Sequence, residues 1–270
     1  MVGNSALQRT RGQGWYRGFA NLFGKENRAW WGTRRWLFQT ILWAVIVNGI
    51  LASVMFAIPV LLQQTDPAEA ETFDPVVQGV QALFQIGTVA LALGAILIAQ
   101  DQILGERQSG VTEWILSKPV SRDAYILSKL AADTIGVVVV LVGVQSAIAY
   151  GLIALANGAP LPLAPFLVGA GGLALHTLFY LSLTLMMGVL ANSRSLLMGI
   201  PLGVLFGGML AANFLGKAAL LTPWSLAAVL PATVLQLPLP LPAALPLAVT
   251  AALTVAAIAV TLRKFRQLEF

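Results

Sequence analysis

Catalysis needs ionisable or nucleophilic groups within reach of one another, and this chain of 270 residues offers few. It has one histidine, His176, and no cysteine. That excludes thiolate metal sites, a disulfide framework and the two histidines of an H-E-x-x-H metalloprotease. Ser182 follows His176 without a Gly-x-Ser-x-Gly setting, so an activated serine nucleophile is not indicated. A phosphate-cradling Gly-x-x-x-x-Gly-Lys-Ser/Thr loop is missing; Gly216-Lys217-Ala218 is only a fragment of one. No catalytic residue, metal site or bound cofactor is expected. If the protein moves anything uphill, its motor is another polypeptide.

The elements available to position a site are membrane helices. Hydrophobic residues make up 58% of the chain and charged residues 10%, with a mean hydropathy of +0.82. Soluble domains carry about 25% charged residues, so a water-facing surface cannot be built from this composition. Apolar runs long enough to cross a bilayer cover residues 37–62, 76–100, 134–156, 163–191, 196–215 and 241–262. The predicted fold class is an all-α integral membrane protein of six spans, with a tail over 1–36 and a transmembrane domain over 37–270. The spans hold no Asp, Glu, Lys or Arg away from their ends, so a self-contained ion or proton pump is disfavoured. His176, midway along the fourth span, is read as an imidazole bonded to a neighbouring helix rather than as a proton site.

Charge orients the spans. All Lys and Arg except Lys217 fall before the first span, between the second and third, after the fourth, or after the sixth. Positively charged loops stay cytoplasmic, which places both termini and the 101–133 loop in the cytoplasm and the chain in the inner (cytoplasmic) membrane. The net charge of +5 is therefore topological, and no nucleic-acid partner is expected. Before the first span, Trp15, Phe19, Leu22, Phe23, Trp30 and Trp31 recur at helical spacing among basic residues. That pattern predicts an interfacial amphipathic helix from about Trp15, lying against membrane lipids. Between 217 and 240, Pro223, Pro231, Pro238 and Pro240 interrupt an apolar stretch. A re-entrant or interfacial hairpin on the outer side is predicted there rather than two more spans.

The most informative polar segment runs from Leu104 to Asp133. Gly110 to Ser117 can form a short helix whose apolar side includes Val111, Trp114 and Ile115. Lys118-Pro119 ends it, because a residue before proline avoids the helical region. Ser121 then suits the N-cap of a second helix, with Asp123 in its first turn. A short helix with an apolar face shown to the cytoplasm invites a partner, although an ordinary connector would have the same local pattern.

The run Glu106-Arg107-x-x-Gly110-x-x-Glu113-x-x-Leu116-Ser117-x-Pro119-Val120-Ser121-Arg122, ending at Lys129 and with Gly110-Val111-Thr112 at its centre, resembles the loop of type-2 ABC transporter permeases. Val111 interrupts the family's Gly-Thr step, and Ile115-Leu116 replaces its usual leucines. Lys25-Glu26 in the amphipathic helix, the long loop after the second span and Thr222-Pro223-Trp224 extend the similarity along the chain. The resemblance implies a non-catalytic membrane subunit of an ATP-binding-cassette exporter. Residues of about 110–117 would be a coupling helix docking into cytoplasmic ABC ATPase subunits, which carry the ATP and Mg. A second permease copy or a homologous permease would complete the transport path.

A small-residue ridge at Gly199, Gly203, Gly207 and Ala211 suits close helix packing, either within the subunit or at a dimer seam. An autonomous channel or secondary carrier, or a membrane assembly or anchor protein, stays open on the residues alone. Uncharged walls suit lipids, hydrophobic peptides or amphipathic drugs better than free ions.

Overall fold

The computed structural model describes residue 14, residues 16–238 and residues 244–268. Trp15, Arg9 and Arg11 of the tail, and Pro240 and the predicted start of the last span at 241, lie outside the described residues. Eleven labelled helices account for most of what is described. An amphipathic α1 (Phe19–Trp31) leads into α2 (Arg35–Thr65), then a short α3 (Pro67–Thr72) and α4 (Pro75–Ala99). The loop carries α5 (Leu104–Gln108) and α6 (Val111–Leu116). Next come α7 (Arg122–Asn157), α8 (Leu163–Leu190), α9 (Arg194–Leu215), α10 (Leu226–Val234) and α11 (Ala244–Gln267). Six of the helical segments are long and apolar enough to cross a membrane. The protein is an all-α, multi-pass integral membrane protein.

Local sequence explains where the helices begin. Asp74 accepts from the backbone N–H groups of Val76 and Val77 ahead of Pro75, and Asp66 does the same for Glu69 ahead of Pro67. Both are acidic N-caps followed by proline at the first position, where its missing N–H costs nothing. Ser121 and Ser193 cap α7 and α9 in the same way. The third spanning helix therefore begins at Arg122, well ahead of the uncharged run at 134–156.

Helix α8 is the central post. Its most apolar window is 72% buried, against 22% for α2 and for the helix that starts at Arg194. It packs on α4, α10 and α11. Leu173, Tyr180, Leu181 and Leu185 are among the side chains it buries. Lipid is as apolar as a leucine side chain, so association here depends on close packing and interhelical hydrogen bonds. One such bond joins the first and third spans. Asn48 Nδ2 donates to Gln145 Oε1 at 2.9 Å, and Gln145 Nε2 donates to the carbonyls of Thr40 and Val140 at 3.2 Å each. Both side chains sit beside wide π turns, at Ala44–Asn48 and Val137–Gly143. Such turns disturb the regular hydrogen-bond ladder and free carbonyls to accept side-chain donors.

Among the described residues, the proline-rich segment after α9 forms short helical pieces rather than two further long apolar helices. Two 3₁₀ turns, Gly216–Leu221 and Pro223–Ser225, precede the short α10, which buries Leu226, Val229, Leu230 and Val234 against α4 and α8. Trp224 anchors this segment. Its Nε1 donates to the Tyr180 hydroxyl at 3.2 Å, and its ring occupies the space above Gly208. A Cβ at Gly208 would lie 1.7 Å from that ring, so only glycine fits.

His176 lies fully buried on α8 beside Tyr180. The carbonyls of Thr88 and Pro223 are its polar neighbours, yet neither imidazole nitrogen makes a hydrogen bond. Thr88 belongs to the neighbouring α4, so the ring faces a backbone acceptor on an adjacent helix, outside strict hydrogen-bond geometry.

Candidate functional site

The loop between the second and third spans is fixed to the rest of the molecule by a buried ion network. On α7, Tyr125, Lys129 and Asp133 recur every fourth residue and so share one helix face. On α1, Glu26 and Trp30 share a face by the same rule. Lys129 Nζ meets Glu26 Oε1 at 3.0 Å, and Trp30 Nε1 donates to Asp133 Oδ1 at 2.8 Å. Each pair is separated by 103 residues. A constant offset means that α1 and α7 run parallel and in register.

Glu106 of α5 completes the network from the loop side. Lys129 Nζ lies 3.0 Å from Glu106 Oε2, and the Tyr125 hydroxyl donates to the same oxygen at 2.6 Å. Lys25 adds a second cation 3.2 Å from both Glu26 and Glu106. Lys129 is 1% exposed at its side chain, so its charge is tolerated only because two carboxylates surround it. Lys25 is half exposed. Burial pulls its ammonium down, but Glu26 and Glu106 outweigh that and hold it above its ordinary value. Thr112 carries the network into α6: its buried hydroxyl lies 3.1 Å from that of Tyr125.

Other residues of the motif act as ties. Arg107 donates to the carbonyls of Gly188 and Val189 at 3.2 and 3.0 Å, satisfying the open C-terminal end of α8. Arg122 does the same for α11, through the carbonyls of Arg266, Phe265 and Leu268. Asp123 and Arg266 form a two-pronged pair at 2.7 and 2.6 Å. Tyr125 stacks on Phe265, with ring centroids 5.1 Å apart. The Ser121 N–H bonds the Arg17 carbonyl at 2.9 Å, strapping the N-terminal turn across the loop.

Helix α6 is thus held on one side and shown on the other. Gly110 starts it with a φ of 74°, a left-handed conformation that glycine adopts without strain. Thr112 and Ile115 face inward, and Leu116 packs on the core from a half-buried position. Val111, Glu113 and Trp114 face out, and Trp114 is 66% exposed. Lys118 lies over its indole at 5.1 Å, and Pro119 is exposed just beyond. Val111 and Trp114 share the outward face as predicted, and Ile115, predicted with them, is turned inward instead.

The other predicted residues fall elsewhere. Gly199, Gly203 and Gly207 line an exposed side of α9 where an added Cβ would meet nothing within 4 Å, and Ala211 is half-buried at its end. The ridge is unused inside the subunit and lies far along the chain from the ion network. Among the described residues no cluster of His, Asp and Glu is arranged to hold a metal.

Sequence reasoning did not assign Glu26, Trp30, Tyr125 and Asp133 to the site. The available signal was the fourth-residue recurrence of Tyr125, Lys129 and Asp133, which marks a polar stripe on an otherwise apolar helix. A related feature is Gly136, where a Cβ would stand 2.5 Å from the Trp30 ring. Because that ring is held by Asp133, Gly136→Ala is expected to destabilise the protein by about 1–3 kcal/mol. The unfolding midpoint in detergent checks this, with Gly151→Ala, an open position, as the neutral control.

Comparison with known families agrees with this architecture. The sequence from residue 20 to residue 269 matches the family described as ABC-2 family transporter protein. The chain belongs to that family, and it is a membrane component of the ABC transporter class. Members are typically non-catalytic. No curated protein sequence matches it.

Proposed function

We propose that the chain is the permease subunit of an ATP-driven exporter, forming the translocation path and coupling to separate ABC ATPase subunits. The observation that carries this reading is α6: a short helix with Trp114 displayed outward and its inner side tied to two spans and α1. A helix that transmits force must present a contact surface and must not yield at its own attachment. The Lys129 network supplies the second requirement.

Under this reading the basic face is cytoplasmic, by the charge rule that orients membrane helices, and the membrane is the inner one. ATP and Mg reside on the ATPase partners. Closure of two ATPases would bring two copies of α6 together and rock the attached spans. Support for a second permease copy comes from the exposed glycine ridge on α9, which lets another helix approach closely in lipid. Gly203→Leu is expected to leave the unfolding midpoint within experimental error while lowering the dimer fraction measured by cross-linking in the membrane.

Reconstitution tests the proposal. Liposomes containing the chain and its ATPase should show ATP-dependent export and ATPase activity that changes with substrate. Gradient-driven flux through the chain alone would contradict the proposal and point to a channel or carrier. A stable complex indifferent to nucleotide would indicate an anchor instead.

A further inference from the structure

A cleft of about 770 Å³ opens between α1, the start of α2 and the basic-face end of α4. This is the size of a site for one small amphiphile. Its walls differ sharply in character. Arg34 and Arg35 stand on one side, while Phe38, Leu97 and Ile98 supply an apolar strip. Phe38 is 64% and Leu97 48% exposed, an arrangement suited to hydrocarbon. Trp31 and Trp36, with ring centroids 6.2 Å apart, flank the two arginines in sequence. Tryptophans cluster at the depth of lipid headgroups, which fixes the level of the cleft in the bilayer.

Charge accounting decides what the cleft can hold. Its carboxylates are already matched within the chain: Glu26 and Glu106 by Lys129 and Lys25, and Asp101 by Arg194 at 2.9 Å. Arg34 and Arg35 are both exposed and have no carboxylate within ion-pair distance among the described residues. The uncompensated charge of the cleft is therefore positive, and the exposed arginines that carry it share the lining with an exposed apolar strip. We infer that this cleft binds a phospholipid of the leaflet at the basic face, its phosphate on Arg34 and Arg35 and an acyl chain along Phe38, Leu97 and Ile98. A bidentate guanidinium–phosphate contact gives the headgroup its grip. The inner wall is formed by Glu26, Trp30 and Glu106, so the bound lipid rests against the same network that holds α6. This inference depends on membrane insertion and not on the coupling role of α6.

The test uses the full chain in a non-phosphate detergent with phosphatidylglycerol added. Bound lipid is counted by mass spectrometry of the intact protein, and affinity is followed by titration. One tightly retained lipid per chain is expected. Arg34→Gln combined with Arg35→Gln should weaken it roughly 10- to 30-fold, given the usual attraction of about two basic residues to anionic lipid. Arg28→Gln combined with Lys118→Gln removes the same charge outside the cleft and should leave retention unchanged. An equal loss in that control, or unchanged binding in the Arg34/Arg35 variant, would overturn the site. Glycerophosphoglycerol binding as tightly as the intact lipid would overturn the lipid assignment in favour of a free-anion site.

Discussion

Replacing Lys129 by Met is expected to lower the unfolding free energy by about 3–5 kcal/mol, because it leaves buried carboxylates without their cation. Glu26 and Glu106 both reach Lys129 Nζ at 3.0 Å, and only Lys25, half exposed, would remain near them. The Coulomb attraction lost is large at low dielectric, and so is the solvation each carboxylate gave up. The same physics predicts a rescue. Lys129→Met combined with Glu26→Gln and Glu106→Gln should recover most of the loss, since a neutral set owes no solvation of charge. Denaturant unfolding in detergent, or proteolysis of α1 in membranes, reads both effects. Equal destabilisation in the single and triple variants would mean that packing, and not charge pairing, holds the helices together.

Trp114→Ala is expected to act in the opposite way, on partnership and not on fold. The indole is largely exposed, with the Lys118 ammonium over its ring. Surface changes of this type alter stability by less than about 0.5 kcal/mol. At a docking surface, however, an aromatic anchor commonly accounts for about 2 kcal/mol or more, equivalent to a roughly 30-fold weaker complex. The prediction is a normal unfolding midpoint together with loss of ATPase association, measured by titrating the purified ATPase onto reconstituted permease. Normal association would remove Trp114 from the docking surface.

The contrast between these variants shows what the sequence made legible. Six spans and a single basic face could be read because bilayer hydrocarbon excludes charge, so Lys and Arg mark the span ends on one side and acidic residues or Gly and Pro turns mark most of the others. The displayed helix was legible from Gly110, Lys118-Pro119 and Ser121, whose local preferences start one helix, end it and begin the next. The attachment of that helix was not. Glu26 and Lys129 are 103 residues apart, and periodicity shows that a polar stripe exists without showing what it faces. The same limit applies to Asn48 and Gln145, whose pairing depends on wide turns in two different spans. Pro223 signalled a broken helix, whereas Pro231 lies inside α10 and breaks nothing; the return was set by Trp224 finding the space above Gly208. The orientation of the glycine ridge likewise depended on tertiary packing: Gly208 is taken up inside the subunit while Gly207 is left open.

Coupling through α6 is the central proposition. The most direct measurement is the distance between spin labels at Glu113→Cys on the two permease chains of an assembled transporter, read with and without ATP. Glu113 is exposed on α6 and takes no part in the ion network, so a label there reports motion without disturbing the attachment. The distance is expected to shorten when ATP closes the ATPase pair and to lengthen again after hydrolysis. A distance unchanged by nucleotide, in a complex that still hydrolyses ATP, would contradict it.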